Sequence, residues 1–151
     1  IFCFYVDIYG AIKLKNDCVF CKIVTGDIPA VKIYESSEIL AFFDIFPANK
    51  GHCLVIPKDH SKSIDLIPDN LIPSIFCLAK KIVKIQKKIF NISDVNLLQN
   101  NGREAGQTVF HAHLHIIPRF KNDKVNFSWK ERAYENESEL LMLANKMKEG
   151  L

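Results

Sequence analysis

At 151 residues the chain is the size of one domain, able to bury a core without disulfide staples, and it leaves little room for a second folded unit. Apolar residues make up 48% and charged residues 25%, a globular balance that excludes a disordered, highly charged polymer. The net charge of +3 is spread along the chain, which argues against duplex nucleic acid as a partner and suits a small phosphorylated ligand.

Residues 1–9 are apolar but too short to span a bilayer, and no membrane partner is expected. They read as an added strand or a poorly ordered arm, with a targeting remnant as the alternative. On this reading residues 1–15 are an N-terminal extension and residues 16–151 a single domain including its C-terminal tail. Five cysteines, an odd count, argue for a reducing compartment, cytoplasmic with nuclear as the alternative.

A short helix is expected within residues 17–26, where Cys18, Phe20, Cys21, Ile23 and Val24 have helical spacing and Gly26 is the stop. Residues 31–35 and 39–44 are β-rich and separated by Ser36, Ser37 and Glu38, as in a hairpin. A turn over 47–51 leads to a third strand from Cys53 to Ile56. Between 68 and 90 apolar residues recur with a helical period, Gln86 being the exception; Asp69 or Asn70 would cap this helix and Pro73 would fall in its first turn. Lys80, Lys81, Lys84, Lys87 and Lys88 follow the same period and read as its solvated face. Residues 95–99 form a fourth strand, 100–106 a polar loop, 111–118 a fifth strand and 137–148 a C-terminal helix with Leu140, Leu141, Leu143 and Met147 on its apolar side. The sum is an α+β domain: a five-stranded, largely antiparallel sheet with one long helix and short flanking helices.

Three of the five histidines fall within five residues, His111, His113 and His115, alternating with Ala112 and Leu114. Strand side chains alternate faces, so the three imidazoles would share one side, about 7 Å apart, while Ala112, Leu114 and Ile116 take the core side. That spacing suits separate roles around one extended anion, because a neutral imidazole can attack, donate or accept near neutral pH.

The stretch from Gly106 and Gln107 through His111, His113 and His115 to Arg119 resembles the histidine triad (HIT) family. Cys18 to Ile23, Ala41 to Ile45 and Gly51 to His60 extend the likeness, and the tail around Trp129 resembles bacterial members of its nucleotide-binding branch. The resemblance implies a hydrolase or transferase that cleaves at a nucleoside α-phosphate, preferring purine nucleoside phosphoramidates, through a covalent nucleotidyl-histidine on His113. His115, Gln107 and Thr108 would contact the phosphate oxygens, and His111 would orient its neighbour and fix its tautomer. Asp44 matches the position that binds the ribose hydroxyls. Phe20, Ile23, Phe43 and Ile45 match the base pocket; Asn100, Gly106 and Val109 complete the nucleotide site. His52 is a candidate relay, or would orient His111. The branch also implies a two-fold dimer, and the helix face around Ile75, Phe76, Ile82 and Val83 would serve it or be consumed within the monomer. Two other readings stand beside this one: a diadenosine polyphosphate hydrolase, and a nucleotide-binding scaffold with incidental turnover.

Cys18 and Cys21 supply half of a tetrahedral metal site, and their spacing also fits two packed helix cysteines or a redox motif. The family resemblance implies His60 and His111 as the remaining ligands of a structural zinc with no open position. No organic cofactor is expected. Cys3, Cys53 and Cys77 read as small buried hydrophobes.

Overall fold

The computed structural model describes residues 15–127 and 132–151, so most of the expected extension, Cys3 and Trp129 lie outside the described residues. In chain order the elements are α1 (Val19–Thr25), β1 (Lys32–Glu35), β2 (Ile39–Phe43), β3 (Cys53–Pro57), a 3-10 turn (Ile64–Leu66), α2 (Ile72–Phe90), β4 (Val95–Gln99), β5 (Leu114–Pro118) and α3 (Glu137–Gly150). The five strands form one antiparallel sheet in the order β1-β2-β3-β5-β4, the α+β architecture expected from the pattern. The histidine-bearing strand therefore enters between β3 and β4, at the interior of the sheet.

Alternation along the strands divides the core in two. Ala41, Val55, Leu114 and Ile116 pack with Ile75, Leu78, Ala79 and Ile82 of α2 on one face. Leu40, Phe42, Leu54 and Ile56 point to the other face and meet Phe20, Cys21 and Ile23 of α1. The small helix ends where Gly26 takes φ +86° and its N–H bonds the Ile23 carbonyl, as its position after the last apolar residue suggests. Ser36 closes the β1–β2 hairpin by accepting from the N–H of Ile39 at 3.0 Å.

Four features depart from the sequence reading. The fifth strand starts at Leu114, so His111 and His113 precede it. Continuing the register from Val55 and Leu114 would set Ala112 opposite Pro57, which has no N–H to offer a partner strand. Ala112 instead donates to the Ser61 carbonyl at 2.6 Å. The long helix starts at Ile72 behind Leu71, and neither Asp69 nor Asn70 caps it. Pro73 does fall in the first turn, where its missing N–H costs no helical bond. Cys77 is exposed, whereas Cys53 is buried as expected. The apolar side of α3 also stays open, with no buried residue on that helix. Gln86, the one polar residue in the apolar pattern of α2, does face inward: its amide donates to the Gly51 carbonyl at 2.9 Å and ties the helix to the turn before β3.

Candidate active site and metal group

His111, His113 and His115 lie on the α1 face, and Ala112, Leu114 and Ile116 on the α2 face, so the alternation holds even where the ladder stops. His111 is fully buried, His113 is 5% exposed and His115 is half-buried. The His113 and His115 rings close to 4.7 Å between centroids, tighter than the strand spacing suggests, because the backbone at His113 has left the extended ladder.

The hydrogen bonds fix where the protons sit. His113 Nδ1 lies 2.6 Å from the His111 carbonyl, which can only accept, so His113 carries its proton on Nδ1 and keeps a lone pair on Nε2. The group of His111 that orients His113 is thus its backbone oxygen. The Ala48 N–H donates to His52 Nδ1 at 3.0 Å, which places the His52 proton on Nε2. His52 Nε2 then donates to His115 Nδ1 at 2.9 Å, leaving the His115 proton on Nε2. His52 serves His115 and not His111, a correction set by its position at the head of β3 opposite β5. Burial pushes His115 down to about 4, helped by His113 and His52, and burial also lowers His113 and His52. All three rings are accordingly neutral near pH 7.

His113 and His115 open onto a cavity of about 360 Å³. Phe20, Ile23, Phe43, Asp44, Ile45, Thr108, Val109, His113 and His115 are among the residues that line it. Phe20 meets His113 edge-on at 5.2 Å. Asp44 accepts the Phe46 N–H on Oδ1 at 2.8 Å, with Oδ2 3.7 Å from His52 Nδ1. Asn100, Gly106 and Gln107 do not line the cavity. Gln107 is 4% exposed and its amide is consumed by backbone partners: Oε1 accepts from Gly102 N at 2.7 Å, and Nε2 donates to the carbonyls of Lys62 and Val109. It shapes the loop rather than reaching an anion. Gly106, at φ +83°, lies against Asn100, whose Nδ2 would be 3.7 Å from an added Cβ. Sequence reasoning missed Val19, Ile28, Pro29, Ala30, Phe42, Phe46 and Leu54 in the wall. Phe42 and Leu54 carry a visible signal, since both sit on the same sheet face as the histidines.

Cys18, Cys21, His60 and His111 come together beneath this site, with their donor atoms within 4.8 Å of one another. Cys18 Sγ is 3.5 Å and Cys21 Sγ 3.6 Å from His111 Nδ1, and Cys21 Sγ is 3.4 Å from His60 Nδ1. A tetrahedral zinc with Zn–S near 2.3 Å and Zn–N near 2.05 Å requires S···N edges of about 3.6 Å, which these three distances match. The donor chemistry agrees. His111 donates from Nε2 to the Pro57 carbonyl at 2.8 Å, freeing Nδ1, and the Lys15 N–H donates to Cys21 Sγ at 3.3 Å. Burial holds the Cys21 thiol up at about 11 and His111 down at about 4.

Fold and site together define a small α+β domain that presents neutral imidazoles at the mouth of an apolar cavity, above a two-cysteine, two-histidine metal group. The chain belongs to the HIT domain family, whose model matches residues 25–122. It is 49% identical over 102 residues to the adenosine 5′-monophosphoramidase of Schizosaccharomyces pombe, covering 68% of this chain and 74% of that protein. The crystal structure of a HIT family protein from Bacillus anthracis superposes with a TM-score of 0.84 at 41% identity, over 90% of this chain and 98% of that one. A zinc-bound histidine triad family protein from Mycobacterium smegmatis gives a TM-score of 0.69 at 34% identity, over 89% and 98% of the two chains. No helix among the described residues is long and apolar enough to cross a membrane.

Proposed function

We propose that the chain is a nucleoside phosphoramidase, a hydrolase that releases a purine nucleoside monophosphate from substrates carrying an amine or similar group on the α-phosphate. The observation that carries this reading is the bond from His113 Nδ1–H to the His111 carbonyl, which leaves an unprotonated Nε2 beside an apolar cavity of nucleoside size. The name of the fission-yeast relative supports the same chemistry.

The His113 Nε2 lone pair attacks the α-phosphorus and forms a P–N bond. The bond to the leaving group breaks, and that group departs with the electron pair and takes a proton from solvent. Water then attacks the phosphorus, the P–N bond returns its pair to Nε2, and the water's proton passes to solvent. His115 Nε2–H and the Thr108 hydroxyl face the phosphate oxygens and stabilise their charge in both steps. Asp44 accepts from the ribose hydroxyls on Oδ2, while Phe20, Ile23, Phe43, Ile45 and Val109 enclose the base. Asn100, Gly106 and Gln107 act through the shape of the loop behind Thr108.

A single-turnover reaction with adenosine 5′-phosphoramidate, quenched in base and read by intact-protein mass, tests the mechanism. A transient adenylate on His113 is expected, and His113→Ala should lower turnover by several orders of magnitude while AMP binding is kept. Retained turnover in that variant rules out the covalent route; AMP binding without adduct or product makes the chain a nucleotide-binding scaffold instead.

We further infer a structural zinc on Cys18, Cys21, His60 and His111, which pins α1 to the histidine segment and supplies no open coordination position. We also infer a two-fold dimer. Ile75 and Ile82 are consumed in the monomer, and Phe76, Ile85 and Ile89 on α2, with Leu97 on the sheet's edge strand β4, remain exposed. Sedimentation at twice the chain mass, reduced to one chain by Ile89→Asp, is the expected result; a monomer in the unaltered protein removes the inference.

A further inference from the structure

We propose that Phe46 determines base specificity by stacking on the outward face of the substrate's base, an inference that rests on the nucleotide reading above. Phe46 is 85% exposed and its neighbour Ile45 is 76% exposed, yet both line the cavity. Large apolar side chains left this open beside a pocket are most simply explained by a ligand that covers them.

The placement is fixed at its base. The Phe46 N–H donates to Asp44 Oδ1 at 2.8 Å, which plants the ring two residues from the carboxylate assigned to the ribose. The opposite wall is already built from Phe20, Ile23 and Leu54, and Phe20 is held edge-on against Phe42 at 5.6 Å and His113 at 5.2 Å. That wall covers one face of a flat heterocycle. Phe46, on the loop after β2, is the most exposed aromatic ring of the lining, against 41% for Phe43 on the strand, and is the one left to cover the other. Every side chain lining the cavity is apolar except Asp44, Thr108, His113 and His115, which are committed to the ribose and phosphate. The base therefore meets surfaces and not hydrogen-bonding partners, and discrimination follows stacking area, in which a purine exceeds a pyrimidine.

Calorimetric titration of AMP and CMP into the full chain and into Phe46→Ala, Phe46→Leu and Phe46→Tyr tests this. Base–aromatic stacking predicts that Phe46→Ala weakens AMP binding by about ten-fold or more, and CMP binding by less. Phe46→Tyr should restore AMP affinity, and Phe46→Leu should restore only part. An AMP affinity within two-fold of the parent in Phe46→Ala overturns the proposal, as does an equal loss for both nucleotides or full recovery in Phe46→Leu. A change of sedimentation mass in Phe46→Ala at unchanged AMP affinity also overturns it, by making the ring a protein contact. Absence of AMP binding in the parent chain removes the nucleotide reading along with it, and so is distinguished from failure at Phe46 alone.

Discussion

His115 presents a proton to the cavity because a backbone amide two groups away dictates it. Ala48 N–H fills His52 Nδ1, His52 Nε2–H fills His115 Nδ1, and the remaining His115 proton has only Nε2 to occupy. Removing the middle link should therefore cost catalysis without emptying the pocket. Losing one buried hydrogen bond is worth about 1–3 kcal/mol, so His52→Ala should reduce kcat/KM for adenosine 5′-phosphoramidate by about ten- to a hundred-fold. His52→Gln, with an acceptor and a donor at similar separation, should recover a larger share than alanine does. Equal activity in His52→Ala and the parent would show that the His115 tautomer needs no such support. The same burial sets the pH response. A His115 pKa of about 4 in the fold, below the ordinary value near 6.5, keeps this donor neutral down to acid pH, so His115 itself should contribute no fall in kcat/KM between pH 8 and about 5. Between about pH 6.5 and 4 the unfolded chain binds this proton and the folded chain does not. Stability must then fall as pH falls through that window, by up to about 1.4 kcal/mol per pH unit for this residue, and be complete above it. Urea midpoints at pH 7, 6 and 5 check the sign; a midpoint that rises on acidification contradicts it.

The turn over residues 47–51 shows how elements, rather than single contacts, hold His52 in place. Gly51 sits at φ +86°, and a Cβ built there would lie 2.4 Å from Cε2 of Phe90 on α2. Gly26, at the same φ, has no atom within 4 Å of its added Cβ. The pair separates backbone strain from packing. Gly26→Ala should cost about 1–2 kcal/mol for the left-handed backbone alone, whereas Gly51→Ala must also displace the Phe90 ring and should cost clearly more. Urea unfolding of the two variants measures the difference; equal losses would mean that Phe90 shifts freely. This contrast was not legible in the sequence, where Gly26 reads as a helix stop and Gly51 as a turn residue and nothing marks which of them meets an aromatic ring. What was legible is whatever follows from local periodicity: the Gly26 stop, the hairpin at Ser36, the five strands, the helical period to Phe90 and the sidedness of the histidines. What was hidden depends on partners distant in sequence. The strand beginning at Leu114 rather than His111 is decided by Pro57 on the facing strand, and the fate of the Gln107 amide in large part by the carbonyl of Lys62. The partner of His52 likewise emerges only once β5 is set beside β3.

At the scale of the whole molecule, the metal group connects what the sheet alone leaves apart. Cys18 is the N-cap residue of α1 and Cys21 lies in its first turn, His60 belongs to the segment after β3 and His111 to the segment entering β5, pairs separated by 39 to 93 residues. The helix they tether has only seven residues, too few to be stable by itself, and it carries Phe20 and Ile23 into the cavity wall. The same cluster grips the ring of His111, whose carbonyl holds the His113 proton. An ion there would thus stabilise the fold and fix the His113 tautomer together. At free zinc a hundred-fold above its dissociation constant the contribution is about 2.7 kcal/mol, which for a chain of this size corresponds to about 5–10 °C in the thermal midpoint. The purified chain should contain about one zinc; Cys21→Ser should retain much less and melt lower by about that amount. Chelation of the parent should lower its midpoint to the level of the variant, and should leave the variant itself unmoved. A parent chain that carries no zinc when purified with the metal present, or a Cys21→Ser variant that melts with the parent, would mean that packing of Phe20 and Ile23 against the sheet suffices to hold α1.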